Sequence, residues 1–275
     1  MTTPTECPRL VVGLVQLPNS DNISLNAERM LAAAQRWAGL GAEVVLFPEC
    51  ALTGFTSKVG ACEPEALEGT LERLQQRAEG LDVALVVPSV VRMAPDRHLN
   101  GGWVLLPAQE RTFFVKTGLT PSEKGFFSAE SEQNQRVFVH RGVRLGLVIC
   151  REVADGPEAH FAADDVDVVL WPGYWRWDAD DGPWEAQASA GGLGQAAFEC
   201  VQRWGKPLLQ ANFCHNELHS AGKTGPSGAS VVIDAQNKMV CAGPGPEEPA
   251  GGVLVELERG NGGRWDVRSA KQVVS

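Results

Sequence analysis

The sequence predicts an α/β protein in which a mixed sheet, or two sheets, is covered by helices. Two patterns predict it. Short runs rich in Val, Leu and Ile alternate with amphipathic stretches over the early part of the chain, as βαβ units do, and closely spaced strand pairs follow. The size agrees: 275 residues, 44% hydrophobic and 21% charged, suffice for one large core of ordinary composition. No linker composition or short repeat divides the chain. Residues 1–275 therefore read as a single domain with a short flexible N-terminus, 1–8.

The elements follow in order. "LVVGLVQL" reads as a strand, and from Ser24 to Ala38 the residues Met30, Leu31, Ala34, Trp37 and Ala38 share one helical face. "AEVVLF" is a strand, and Leu67, Leu71, Leu74 and Ala78 recur at helical spacing. "DVALVVPSVV" is a strand; "GGWVLLP" and "RTFFVK" form a hairpin around "AQE". "VRLGLVIC" is a buried strand, then "DVVLW", a helix reaching Trp204, the strand "PLLQANF" and the hairpin "SVVIDAQNKMVCAG". "GPGPEEPAGG" is a surface loop.

Three of these segments deliver chemistry. Cys150 ends one apolar run, Glu49 follows another, and Lys116 closes a third. Open α/β sheets place reactive groups at the carboxyl ends of their strands. Alone, the Cys is a small buried hydrophobe, the Glu a turn residue and the Lys a solvated end. Together they equip a cysteine nucleophile with a base and an electrophilic helper.

Composition narrows the rest. A net charge of -10 with no basic stripe argues against nucleic acid. No long uncharged apolar span predicts a membrane helix, and "MTTPTECP" has no secretory pattern, so a cytoplasmic location is expected. Seven scattered cysteines suit reduced thiols better than a disulfide framework. Cys214, His215, Glu217 and His219 lie close together, but their spacing matches no zinc motif. They read as a loop at the rim of a site, and neither metal nor organic cofactor is expected. Residues 171–184 hold four of the eight tryptophans and the only tyrosine. Trp171, Tyr174, Trp175 and Trp177 are the candidates for an aromatic substrate wall; packing in the core or a subunit interface is the alternative.

These segments resemble the nitrilase superfamily of carbon–nitrogen hydrolases. "VVGLVQLP" is similar to the family's first strand, "GAEVVLFPECALTGF" to its glutamate motif, "FVKTGLTPSEKGFF" to its lysine motif and "RLGLVIC" to its cysteine motif. "VDVVLWPGYW", "GQAAFECVQRWGKPLLQANF" and "GPSGASVVIDAQNKMV", with Gly228 and Ser230, resemble later segments, so the likeness runs from about Leu10 to about Glu258. It departs at "CREVAD", where Arg151 replaces an aromatic residue while Glu152 keeps an acid, and at Cys200, which replaces an amide. Neither the Arg-Phe-Pro of many amidases nor the Trp-Glu of nitrilases follows directly on Cys150.

The resemblance implies an α-β-β-α sandwich that associates as a homodimer or higher homo-oligomer. It implies Cys150 as nucleophile, Glu49 as base, Lys116 as oxyanion stabiliser, Glu123 as a second glutamate orienting Lys116 or the substrate, and the Arg151 backbone N–H as oxyanion donor. Lys116 is also expected to favour the Cys150 thiolate by Coulomb attraction. The expected reaction is hydrolysis of a small amide through a thioester. The alternatives are carbamoyl-amine or nitrile hydrolysis, or a catalytically silent binding relative.

Overall fold

The computed structural model describes residues 8–55, 64–129, 134–174, 193–215, 217, 229–244, 251–260 and 262–274. In chain order their elements are β1 (Arg9–Val15), α1 (Ile23–Gly39), β2 (Val44–Leu46), α2 (Pro64–Leu81), β3 (Ala84–Ala94), β4 (Arg97–Leu105) and β5 (Thr112–Val115). Then come β6 (Val137–His140), β7 (Val143–Leu147), α3 (Glu152–Asp155), β8 (Val168–Pro172), α4 (Leu193–Trp204) and β9 (Leu208–Ala211). The last are β10 (Val231–Ile233), β11 (Met239–Ala242), β12 (Gly252–Arg259) and β13 (Trp265–Val273).

The strands form two sheets, ordered β13-β12-β1-β2-β3-β4-β5 and β11-β10-β9-β8-β7-β6. Each has a parallel centre, β1-β2-β3 and β7-β8-β9, flanked by antiparallel strands. Parallel centres carry helical crossovers, so both faces of their strands are covered and read as nearly continuous apolar runs. The inner faces meet in one core: Leu10, Val12, Leu14, Val44, Leu46 and Val86 cluster with Leu145, Leu147, Ile149, Leu170 and Leu209. Val45, Leu85 and Val87 face outward against Met30, Ala34 and Trp37 of α1 and Leu71 and Leu74 of α2. Val169, Trp171 and Leu208 face Ala197, Cys200 and Val201 of α4. The layers are α-β-β-α, the sandwich expected.

The helix signals have local causes. Asn22 caps α1, its Oδ1 accepting the Leu25 N–H at 3.0 Å. Trp37 lies against Gly13 of β1, where a Cβ would come within 2.8 Å of the indole; only glycine lets this ring reach the sheet. Two pairings lie outside the sequence reading: β6 with β7, and β12 with β13, which flanks β1. Among the described residues no helix is long and apolar enough to cross a membrane.

Candidate active site

Backbone hydrogen bonds carry the three chemical groups past the ends of their strands. Beyond β2, the Glu49 N–H reaches across to the Gly173 carbonyl of the other sheet at 3.2 Å. Lys116 follows β5 directly, its N–H on the Asn100 carbonyl at 2.7 Å. Beyond β7, the Cys150 N–H bonds Pro172 O at 2.8 Å, and the chain then turns sharply with Cys150 at φ 48°. Cys50, next to Glu49, sits at φ 54°. A left-handed conformation costs a non-glycine residue about 1–3 kcal/mol and persists where the surroundings enforce it, often at functional sites.

The side chains converge. Lys116 Nζ donates to Glu49 Oε1 and to Glu123 Oε1, each at 2.7 Å. Asn100 Nδ2 donates to the same two oxygens at 2.8 and 3.2 Å, and its Oδ1 accepts from Cys50 Sγ at 3.4 Å. Glu123 is therefore no surface acid: it is 4% exposed, and its Oε2 accepts the Thr120 N–H at 2.8 Å. Glu49 and Lys116 are each 1% exposed, Cys150 9%. Glu49 Oε1 is fully engaged, whereas Oε2 is buried without a hydrogen-bond partner. Cys150 Sγ donates to the Tyr174 carbonyl at 3.5 Å.

The charges follow from this packing. Burial alone would lower the Lys116 pKa, but Glu49, Cys150 and Glu123 outweigh it and hold the ammonium charged. Burial raises the Glu49 pKa against the pull of Lys116, with Glu123 adding to the rise. Burial, then the Glu49 charge, push the Cys150 thiol well up, and the opposing attraction of Lys116 does not restore it. The Lys116 attraction runs in the expected direction but is outweighed. The packing therefore favours the protonated thiol and enhances the proton affinity of the neighbouring Glu49 carboxyl.

Sequence reasoning missed two contributors. Asn100 lies inside β4, where nothing in "RHLNGGW" marks it as a site residue. Arg136 pairs with fully buried Glu152 at 2.6 and 2.8 Å. Burial alone would raise the Glu152 pKa, but Arg136 overrides it and the carboxyl falls from an ordinary 4.5 to about 2. A depressed carboxyl stabilises the fold fully above its unfolded pKa, and that contribution is lost as pH falls toward about 2. It amounts to about 3 kcal/mol, at 1.36 kcal/mol per unit. Glu152→Gln is therefore expected to lower the neutral-pH urea midpoint and to flatten its decline below about pH 4.5, which urea titrations from pH 6 downward check.

The remaining candidates divide. Arg151 caps α3, and its guanidinium pairs with Asp155. Tyr174 is partly buried, its ring stacked on Phe55 at 4.8 Å and edge-on to Phe213 at 5.6 Å. Trp171, for which the sequence left a pocket wall and core packing both open, is fully buried in the core among residues facing α4; its indole N–H supports the Cys150 carbonyl at 2.8 Å. Its place in the outward-facing row of β8 puts it behind the turn. Trp175, Trp177 and Gly228 lie outside the described residues, as does His219. Ser230 is buried, its Oγ accepting the Asn212 N–H at 3.1 Å. Cys214 Sγ lies 3.3 Å from His215 Nδ1, and Glu217 is bidentate to Arg29 at 2.9 and 3.0 Å. Among the described residues no three His, Cys, Asp or Glu cluster to hold a metal ion.

Residues 11–266 match the carbon–nitrogen hydrolase family model. The chain belongs to that family. An (R)-stereoselective amidase from Pseudomonas sp. is 32% identical over 145 residues, 52% of this chain and 52% of the amidase. A glutamine-dependent NAD(+) synthetase from Synechocystis sp. is 28% identical over 156 residues, 52% of this chain and 27% of the synthetase. The matched stretch thus spans about half the length of the amidase and about a quarter of the synthetase. Among solved structures, a nitrilase-superfamily amidase from Nesterenkonia, in a cysteine-to-serine variant, aligns with a TM-score of 0.72 at 21% identity, covering 93% of each chain. Other crystals of that amidase hold butyramide, or carry the acetamide moiety of fluoroacetamide on the active-site cysteine.

Proposed function

We propose that this protein is a cysteine-dependent amidase that hydrolyses a small amide through a thioester. One observation carries the reading: Glu49 keeps one buried oxygen unpaired while Lys116 and Asn100 hold the other, and its charge acts on Cys150. A buried carboxylate with an unpaired oxygen and raised proton affinity is a base with a vacancy for one proton.

In the proposed cycle Cys150 Sγ attacks the amide carbon as its proton passes to Glu49. Lys116, which stays charged, faces the developing oxyanion with the Arg151 backbone N–H. Glu123 neutralises Lys116 and fixes its position, leaving Glu49 free to change charge. Glu49 returns the proton to the departing nitrogen, so ammonia or an amine leaves neutral and the C–N bond breaks. Glu49 then takes a proton from water as the oxygen attacks the thioester; the acid leaves and the thiol is restored. The family's amide-cleaving chemistry and the absence of Trp-Glu directly after Cys150 support an amide over a nitrile. The cycle needs no metal or organic cofactor. A cytoplasmic location and a homo-oligomer complete the proposal.

The test is ammonia or amine release from a panel of small amides, run beside matched nitriles and carbamoyl amines. Amide turnover is expected, with mass spectrometry placing a fluoroacetamide adduct on Cys150. Turnover confined to nitriles would overturn the amide assignment, carbon dioxide release would mark a carbamoyl hydrolase, and silence on all three would leave a binding relative. Light scattering checks the oligomer, and a monomer at working concentration would reject it.

A further inference from the structure

We propose that the buried Glu152–Arg136 ion pair is a positioning device that sets the separation of Lys116 from Cys150. The inference rests on the amidase reading, in which both residues act on one carbonyl. Lys116 follows β5, the edge strand of one sheet, while Cys150 follows β7 of the other, and no strand ladder joins the two. The segment before β6 bridges them by backbone bonds, Gln135 N–H to Phe113 O and Leu147 N–H to Arg136 O, and this pair ties the loop ends themselves. Glu152 Oε1 accepts the N–H groups of Thr117 and Gly118, immediately after Lys116, at 2.7 and 2.9 Å. Its Oε2 accepts the N–H of Ile149, immediately before Cys150, at 2.8 Å. Arg136 grips both Glu152 oxygens, donates to the carbonyl of Val115, immediately before Lys116, and reaches the Leu147 carbonyl at 3.3 Å.

One ion pair therefore holds the backbone on both sides of the cation and just ahead of the nucleophile. The fit is close. A Cβ on Gly118 would lie 2.8 Å from Glu152 Cγ and 2.3 Å from Asp155 Oδ2, so only glycine lets the lysine loop settle on α3. Glu152 is 0% exposed and Arg136 5% exposed. Buried ion pairs are weak sources of net stability compared with apolar packing, whereas a bidentate guanidinium–carboxylate pair fixes direction and distance. Displacing a reacting group by about 1 Å costs roughly 10²-fold in rate.

The experiment compares the full-length wild type with Glu152→Gln and Arg136→Lys. It measures kcat and KM on the best amide, the thermal midpoint, and the extent and rate of Cys150 alkylation by iodoacetamide. Glu152→Gln is expected to lower kcat about 10²-fold while KM moves less than about threefold and Cys150 still labels to completion, more slowly. Arg136→Lys keeps the charge but loses the fork, and is expected to lower kcat about tenfold. Variants that keep wild-type kcat per labelled site, losing only stability or active fraction, would overturn the inference; so would failure of both to fold, which would make the pair merely structural. If the wild type hydrolyses no amide, the amidase reading fails separately. The alkylation rate then decides: slower labelling in folded variants supports positioning, and an unchanged rate overturns it.

Discussion

Cys150→Ala is expected to reduce amide turnover to background, at least about 10⁴-fold, while the protein stays folded. Among the described residues of the site, the Cys150 thiol is the group from which the proposed covalent intermediate would form. Neighbouring Cys50 is poorly placed to substitute: it is fully buried and its sulfur is held by Asn100 Oδ1. The fold tolerates the change because Cys150 contributes a small side chain with weak sulfur contacts, to the Tyr174 carbonyl and to Glu49. Its backbone does the structural work, through its N–H on Pro172 and its carbonyl under the Trp171 indole, and both survive in alanine. The check is kcat together with the thermal midpoint. Retained turnover would place the nucleophile elsewhere; a collapse of the midpoint would show that the thiol itself holds the turn.

Lys116→Met is expected to damage both activity and stability. Methionine fills the space but withdraws the cation from two buried carboxylates whose Oε1 atoms both lie 2.7 Å from Nζ. Breaking a buried ion pair by removing one partner costs about 3–5 kcal/mol. Losing the charge proposed to face the oxyanion is expected to cost about 10²–10³ in kcat. The pH dependence separates this from a packing defect. In the wild type the raised Lys116 pKa gives a contribution present throughout the neutral range and lost only as pH rises through the lysine's own titration. In the variant, two carboxylates forced together bind a proton more tightly folded than unfolded, so stability should rise as pH falls from about 8 to about 5. Urea midpoints at several pH values check the sign. A flat profile would mean that the carboxylates have moved apart.

The sequence by itself determined the parts whose physics is local. Val-rich runs broken by amphipathic stretches specify βα units because a side chain's face depends only on its spacing along the strand or helix. Glu49, Lys116 and Cys150 were legible because each follows an apolar run, and because the motifs around them are contiguous. Tertiary structure decided everything that depends on partners distant in sequence. Asn100 joins the site across 51 residues to Glu49, and Lys116 meets Glu49 across 67. No period marks either contact. Arg136 looks like a surface arginine before a strand until the two sheets enclose it with Glu152. The aromatic segment divided for the same reason: the alternation of β8 turns Trp171 outward toward α4, while Tyr174, beyond the strand's end, meets Phe55 and Phe213. The protonation of Cys150 also had to wait for the fold. Residue types imply a cation beside a thiol, but only the depth of burial and the adjacent Glu49 charge determine that the proton stays on sulfur.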